Sequence, residues 1–106
     1  MSSDESLEVL RRHGAAAESG DVDVIMADYT DESVLISSRH GVLRGAAIRD
    51  FFETPADMAG FAVTALHVEG EVILLTWKTA AVSAGSDTFV IRDGKIMMQT
   101  VTFGDE

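Results

Sequence analysis

The fold is decided by the stretch DTFVIRDGKIMMQTVTF, residues 87–103. Asp93 and Gly94 at its centre are a strong signal for a tight hairpin turn, because both residue types tolerate the positive φ angles that such a turn needs. The residues on either side are rich in β-branched and aromatic side chains, which favour strands. We therefore predict two antiparallel strands, over residues 87–92 and 95–103.

Four more strands are predicted upstream of this hairpin. Runs of apolar and β-branched residues indicate two long strands over 61–69 and 72–84. Two short strands over 34–37 and 42–44 come earlier in the chain and are separated by a turn. Together with the hairpin they make an antiparallel sheet.

Three helices are predicted, and two of them precede every strand. Ser2 and Glu5 fit a capping box, in which each side chain satisfies a backbone group at the start of a helix. Pro55 ends the third helix, because the residue before proline is disfavoured in the helical region. The three helices cover residues 2–19, 22–29 and 46–53, with an exit turn at 30–32. Helices followed by strands and tight turns are typical of an α+β domain, with the helices on one face of the sheet.

Composition excludes several classes of function. The 106 residues suit a single domain over residues 1–106, and the absence of cysteine excludes disulfides and thiolate chemistry. Eighteen acidic and eight basic residues give a formal charge of -10, which opposes binding to nucleic acid or anionic membranes. No apolar run is long enough for a membrane-spanning helix, and no secretory signal precedes the first helix. A cytoplasmic protein is expected.

Four segments with their spacing resemble the nuclear transport factor 2-like superfamily, and specifically its SnoaL-like branch of polyketide cyclases and ketosteroid isomerases. These segments are ESGDVD (18–23), YTDESV (29–34), GVLRGAAIRDFF (41–52) and FVIRDGKI (89–96). The resemblance implies a cone-shaped cystatin-like fold, in which a curved antiparallel sheet wraps around N-terminal helices and encloses a pocket. It also implies a homodimer through the outer face of the sheet.

Asp87 is the first candidate catalytic residue. It shares one strand face with Phe89 and Ile91, so its carboxyl is expected to be partly desolvated. Desolvation raises the pKa of a carboxyl group and can keep it protonated, which lets it donate a hydrogen bond to a substrate oxygen. The resemblance places Asp87 at the corresponding position of the isomerases. The alternative is an edge-strand aspartate that pairs with Arg92 or is exposed near a turn.

His13 is the second candidate catalytic residue. It follows Leu10 by three residues and precedes Ala17 by four, on the stripe of the first helix predicted to face inward. The resemblance places His13 where the isomerases carry a tyrosine that donates a hydrogen bond to the substrate, and a neutral imidazole can make that bond. The alternative is a core histidine satisfied by a backbone carbonyl or by Asp87.

The resemblance places Ser37 where the isomerases carry a carboxylate base. A serine cannot abstract a carbon-bound proton without another base to activate it, so that mechanism does not carry over. Ser37 is therefore a candidate ligand-binding residue. The other inward positions predict an apolar pocket with one amide, although such residues also suit an ordinary core: Phe51, Phe89, Gln99, Val101 and Phe103.

Residues 72–84 carry apolar side chains on both strand faces, which predicts a homodimer through a sheet face that includes Trp77. The three histidines are scattered and no glycine-rich phosphate loop occurs, so neither a metal nor a cofactor is expected. We predict a protein that binds a small apolar molecule, as an isomerase or cyclase acting on a ketone or enol. The alternative is a non-catalytic binding or dimeric assembly module with a filled cavity.

Overall fold

The helices pack against one face of a curved, six-stranded sheet in the computed structural model, which describes residues 3–53 and 58–104. The strand order is β2-β1-β6-β5-β4-β3. The helices are α1 Ser3–Ser19, α2 Val22–Met26 and α3 Arg49–Glu53, the last preceded by a 3-10 turn, Gly45–Ile48. The strands are β1 Tyr29–Ser37, β2 Gly41–Arg44, β3 Ala62–Glu69, β4 Val72–Lys78, β5 Ala84–Arg92 and β6 Lys95–Gly104. The α+β fold class is thereby confirmed.

The predicted hairpin is present between β5 and β6. Arg92 pairs with Lys95, and the two turn residues between them have positive φ angles, 53° at Asp93 and 75° at Gly94. Such angles match the right-handed twist of the flanking strands. On the β5 side of the hairpin the sheet continues with two long antiparallel strands, first β4 and then β3.

Strand β1 differs from the prediction, because it begins at Tyr29 and runs parallel to β6. The predicted second helix is too long, and the predicted turn at residues 30–32 lies inside the strand. The reason is hydrogen bonding to β6: Ile96 N donates to Asp28 O at 2.8 Å, and Ser33 Oγ donates to Ile96 O at 2.6 Å. These bonds draw the chain into the sheet directly after α2, and the sheet is mixed.

Strand β4 is also shorter than predicted and ends at Lys78. Thr79 forms a turn in which its Oγ1 accepts from Ala81 N at 3.2 Å and Val82 N at 3.0 Å. Its own N–H donates to Val82 O at 2.8 Å. The chain therefore reverses within residues 79–83, and β5 begins at Ala84. The predicted helix end at Thr54 and Pro55 lies outside the described residues.

Helix α1 presents a face one position away from the predicted stripe. Its buried residues are Ser6, Val9, His13 and Ala16, and Ala17 is exposed. Ser6 Oγ donates to Gly70 O at 2.6 Å, which fixes the rotation of the helix against the turn between β3 and β4. His13 faces inward in the structure, as it does in the predicted stripe.

We call the sheet face under the helices the inner face. Strand pairing arranges it in cross-strand rows, and one row consists of Leu35, Gln99, Phe89, Ile73 and Val68. The next row consists of Ser37, Val101, Asp87, Leu75 and Leu66. The first row is the centre of the core, where Leu35 and Ile73 are fully buried. The second row becomes progressively exposed toward β3, where Leu66 is 44% exposed.

The position of Trp77 corrects the predicted dimer face. Trp77 lies on the inner face with Ile73, is buried, and packs its ring so closely on Gly85 that a Cβ there would stand 2.4 Å from the ring. A side chain in this position cannot anchor a partner on the opposite face of the sheet. The outer face, opposite the helices, instead exposes apolar side chains at Ile36, Val42, Val72, Leu74 and Met98.

Candidate functional site

Asp87 lies on the inner face, half-buried, in the second cross-strand row. Trp77 Nε1 donates to its Oδ1 at 2.8 Å, and Gln99 Nε2 donates to its Oδ2 at 2.8 Å. Burial raises the pKa of Asp87 above its usual value, although the hydrogen bonds from Trp77 and Gln99 act in the opposite direction. The alternative pairing with Arg92 does not occur, since Arg92 binds Glu71.

His13 is buried in the core, with 7% of its surface exposed. Its Nδ1 lies 3.2 Å from Asp28 Oδ2, and its Nε2 lies 3.5 Å from the hydroxyl of Tyr29. The rings of Tyr29, Phe52 and Phe89 meet the imidazole edge-on. His13 therefore has two side-chain partners, and neither of them is Asp87.

Asp28 is the principal site residue that the sequence did not reveal. It is 2% exposed, and Arg12 Nε donates to its Oδ1 at 2.7 Å. Burial by itself would raise the pKa of Asp28, but the hydrogen bonds and positive charges of His13 and Arg12 outweigh it and lower the pKa. The available signal was His13 on the inward stripe of the helix, because a buried imidazole needs polar partners for its ring nitrogens.

Tyr29 connects His13 to Gln99, and it too was missed because the predicted helix had placed it outside the sheet. Its hydroxyl donates a hydrogen bond to Gln99 Oε1. Burial, together with the negative charges of Asp87 and Asp28, raises the pKa of Tyr29 well above its usual value, so the phenol stays neutral. A continuous hydrogen-bonded series results, which we call the polar chain: Arg12, Asp28, His13, Tyr29, Gln99, Asp87 and Trp77.

The polar chain is fully satisfied in the part of the protein that the structure describes. Every buried side-chain nitrogen and oxygen atom there has a hydrogen-bond partner. Asp87 differs from the other acidic member, Asp28, because it is only half-buried and lies in the cross-strand row that becomes exposed toward β3. It is thus the member best placed to meet a ligand.

Ser37 is 3% exposed and stands apart from the polar chain. Its Oγ accepts from Arg39 N at 3.1 Å and lies 3.2 Å from His40 Nδ1. Val101 separates it from Asp87 by two strand spacings, or about 10 Å. The ring of Phe51 packs on His40 at 5.3 Å, so this predicted ligand residue belongs to a second group around Ser37.

The remaining predicted ligand residues divide between the core and its rim. Phe89, Gln99 and Val101 are buried, whereas Phe103 is half-buried and packs edge-on against Trp77 at 5.9 Å. An apolar inner surface continues from there toward β3, where Val63 is 53% exposed. We call the surface formed by Val63, Leu66, Leu75, Trp77 and Asp87 the open edge.

Two open clefts occur on the described surface. One, of about 270 Å³, lies between Tyr29, Gly45 and Arg49. The other, of about 360 Å³, lies at the end of the sheet around Thr76 and Thr102. Neither cleft is lined by His13 or Asp87, but the second cleft meets the open edge at Trp77.

Comparison with solved structures identifies the fold. The chain is similar to an NTF-2 like protein of unknown function from Burkholderia xenovorans, with 22% identity and a TM-score of 0.77 over 97% of this chain and 85% of that one. A protein from Kribbella flavida, provisionally assigned as a ketosteroid isomerase, has 14% identity and a TM-score of 0.76 over 98% and 81%. A protein of unknown function with cystatin-like fold from Methylobium petroleophilum has 17% identity and a TM-score of 0.76 over 100% and 80%.

No protein-family model and no curated protein matches the chain. The structural similarity confirms the nuclear transport factor 2-like, cystatin-like fold that the sequence motifs indicated. Because the same fold carries many different chemistries, the function has to be argued from the residues around Asp87. No helix among the described residues is long and apolar enough to cross a bilayer.

Proposed function

We propose that the protein binds a small apolar molecule carrying a carbonyl or hydroxyl oxygen at the open edge, with Asp87 as its hydrogen-bond partner. The proposal rests on one observation: a half-buried carboxyl group is held in place by Trp77 and Gln99 beside exposed apolar side chains. Apolar surface with a few fixed polar groups is typical of small-molecule sites. A cytoplasmic location is part of this proposal, in keeping with the absence of cysteine.

Asp87 also gives the proposed site a chemical capability. When it is protonated, its hydroxyl can donate to a ligand oxygen while the carboxyl group keeps the bond from Trp77. A fixed donor directed at an oxygen that gains negative charge stabilises an enol or enolate. The similarity to a protein assigned as a ketosteroid isomerase supports this class of ligand. The reaction we propose is therefore isomerisation or cyclisation of a ketone through its enol.

A phenol that imitates an enolate should bind through Asp87. Asp87→Ala removes the hydrogen-bonding group and is expected to weaken binding about 10- to 100-fold, whereas Asp87→Asn keeps a donor and should bind nearly as well as the parent. Calorimetric titration of a bicyclic phenol measures both. Asp50→Ala, an exposed aspartate on α3, is the matched control. Equal affinities of the parent and Asp87→Ala would contradict the proposal.

A second function, that of a dimeric assembly module, is favoured by the outer face. Leu74, Thr88, Thr100 and Ile36 form one cross-strand row on that face without a charged side chain. Leu74 and Ile36 are each 40% exposed. Because the protein has a net charge of -10, a second copy can approach closely only through such an uncharged surface. We propose a homodimer through this face.

Leu74→Glu should convert such a dimer to a monomer, because it places a carboxylate at the centre of the proposed interface. Sedimentation equilibrium at micromolar concentration measures the change in mass. Val24→Glu introduces the same charge at an exposed apolar position of α2 and should leave the dimer intact. A parent protein that is monomeric throughout this range would contradict the assembly proposal and leave the binding proposal unaffected.

A further inference from the structure

Each hydrogen bond in the polar chain has one donor and one acceptor. The bond between Gln99 and Asp87 determines which group donates in the bonds that follow. Gln99 donates from its amide nitrogen to Asp87, so its oxygen faces Tyr29 and can only accept. Tyr29 has a single hydroxyl hydrogen, which is used in the bond to Gln99. The oxygen of Tyr29 can therefore only accept from His13.

The protonation of His13 follows from the same reasoning. Asp28 is ionised, because its pKa is lowered, and it accepts from His13 Nδ1, which must carry a hydrogen. Nε2 must also carry a hydrogen in order to bind the oxygen of Tyr29 at 3.5 Å. A neutral ring would turn one buried lone pair toward another and leave both unsatisfied. Both ring nitrogens of His13 are therefore protonated in this arrangement.

A second arrangement is equally complete. If Asp87 is protonated it can donate to the oxygen of Gln99, whose amide then turns over and donates to Tyr29. Tyr29 in turn donates to His13 Nε2, which must be free of hydrogen. One proton has been gained at Asp87 and one lost at His13, so the net charge of the chain is unchanged. The protons exchange with solvent, since a side-chain amide does not relay them.

We infer that Asp28 is a positioning residue that holds His13 as an imidazolium, and that His13, Tyr29, Gln99 and Asp87 reverse their hydrogen bonds as one unit. As a result, Asp87 and His13 Nε2 cannot both carry a proton. The inference depends on the proposed function only for its use: Asp28 would set how readily Asp87 takes up the proton that a ligand oxygen would accept in place of Gln99. Its test needs no ligand, so the two can fail separately.

The groups that face the two titrating residues come from four elements. Asp87 meets Trp77 of β4 and Gln99 of β6, and it lies within the electrostatic influence of His13 of α1 and Tyr29 of β1. His13 meets Asp28 and Tyr29, and Arg12 reaches Asp28 from the side opposite the imidazole. The positive charge of His13 lowers the pKa of Asp87, which is the sign that mutual exclusion requires.

Nitrogen NMR of the imidazole tests the inference directly. Replacing the exposed His40 and His67 by glutamine leaves His13 as the only histidine. Both ring nitrogens should carry a hydrogen in the parent protein. In Asp87→Asn, the oxygen of the new amide accepts from Trp77 and its nitrogen donates to Gln99, which imposes the second arrangement. His13 Nε2 should then lose its hydrogen at the same pH. A neutral ring in the parent, or an imidazolium unchanged by Asp87→Asn, would overturn the inference.

Asp28→Asn provides a second test, because two explanations predict opposite shifts in the pH midpoint at which Asp87 titrates. The protein has one tryptophan, and its indole N–H, bound to Asp87, reports the titration of that carboxyl. Loss of the Asp28 charge alone would move the Asp87 midpoint to lower pH. Loss of the imidazolium that Asp28 holds would move it to higher pH, which is the result we expect. Asp50→Asn controls for net charge, and an unchanged or lowered midpoint in Asp28→Asn would overturn the inference.

Discussion

Phe89→Ala should destabilise the fold by about 3–5 kcal/mol, because it removes a buried ring from the middle of the inner face. Phe89 is 2% exposed and lies between Ile73 and Gln99 in the first cross-strand row. Its ring also packs edge-on against His13 at 6.0 Å. Urea unfolding followed by the fluorescence of Trp77 measures the loss.

Phe61→Ala is the matched control for this variant. Phe61 is 43% exposed, and its ring packs against that of Trp77 at 6.1 Å. Its loss should cost well under half as much as the loss of Phe89, since little surface is withdrawn from water. Similar costs for the two variants would mean that the inner face is not the centre of the core.

Asp28→Ala should be comparably destabilising, at about 3–5 kcal/mol, because it removes the carboxylate that pairs with His13 and Arg12. The cost comes mainly from His13, which is buried, whereas Arg12 is half-exposed and keeps its bond to Gly94 O. Asp28→Asn, which keeps the shape and one acceptor, should lose less and remain folded. Chemical unfolding at pH 7 compares the three proteins. A loss below about 1 kcal/mol in the alanine variant would show that the ion pair contributes nothing net.

The two aspartates should give stability opposite dependences on pH. The folded pKa of Asp28 is lowered, so its contribution is present above its unfolded pKa of about 4 and is lost as pH falls through the lower folded value. The folded pKa of Asp87 is raised, so its contribution is present below the unfolded pKa and is lost as pH rises through the folded value. The stability difference between the parent and Asp28→Asn should therefore shrink in acid. A difference that is constant from pH 7 to pH 3 would contradict this assignment.

The sequence predicted the elements whose signals are local. The turn at Asp93-Gly94 required two positive φ angles, and the structure has them. The inward position of His13 was also predicted correctly, although the surrounding stripe was displaced by one residue because Ser6 binds Gly70 O. Helical spacing identifies a face to within about one residue, and contacts with distant loops decide the rest.

What the sequence did not reveal depends on contacts between distant residues. Asp28 resembled an ordinary polar residue at a helix end, and only its approach to Arg12 and His13 of α1 makes it a buried ion-pair partner. Tyr29 was placed in a helix because its pairing with Ile96 on β6 gives no signal in the residues next to it in sequence. Trp77 was assigned to the wrong face because residues 72–84 are apolar on both sides. Alternation alone cannot tell which side the helices cover.

The parallel pairing of β1 with β6 has a consequence for folding kinetics. Strand β1 ends at Ser37 and its partner begins at Lys95, so the two can meet only after the intervening chain has closed into a long loop. The hairpins of β3 to β6 need no such closure and can form from neighbouring residues. During synthesis, β1 can pair only with β2, and its pairing with β6 has to wait until β6 is made. Variants that weaken β1 should therefore speed unfolding far more than they slow folding.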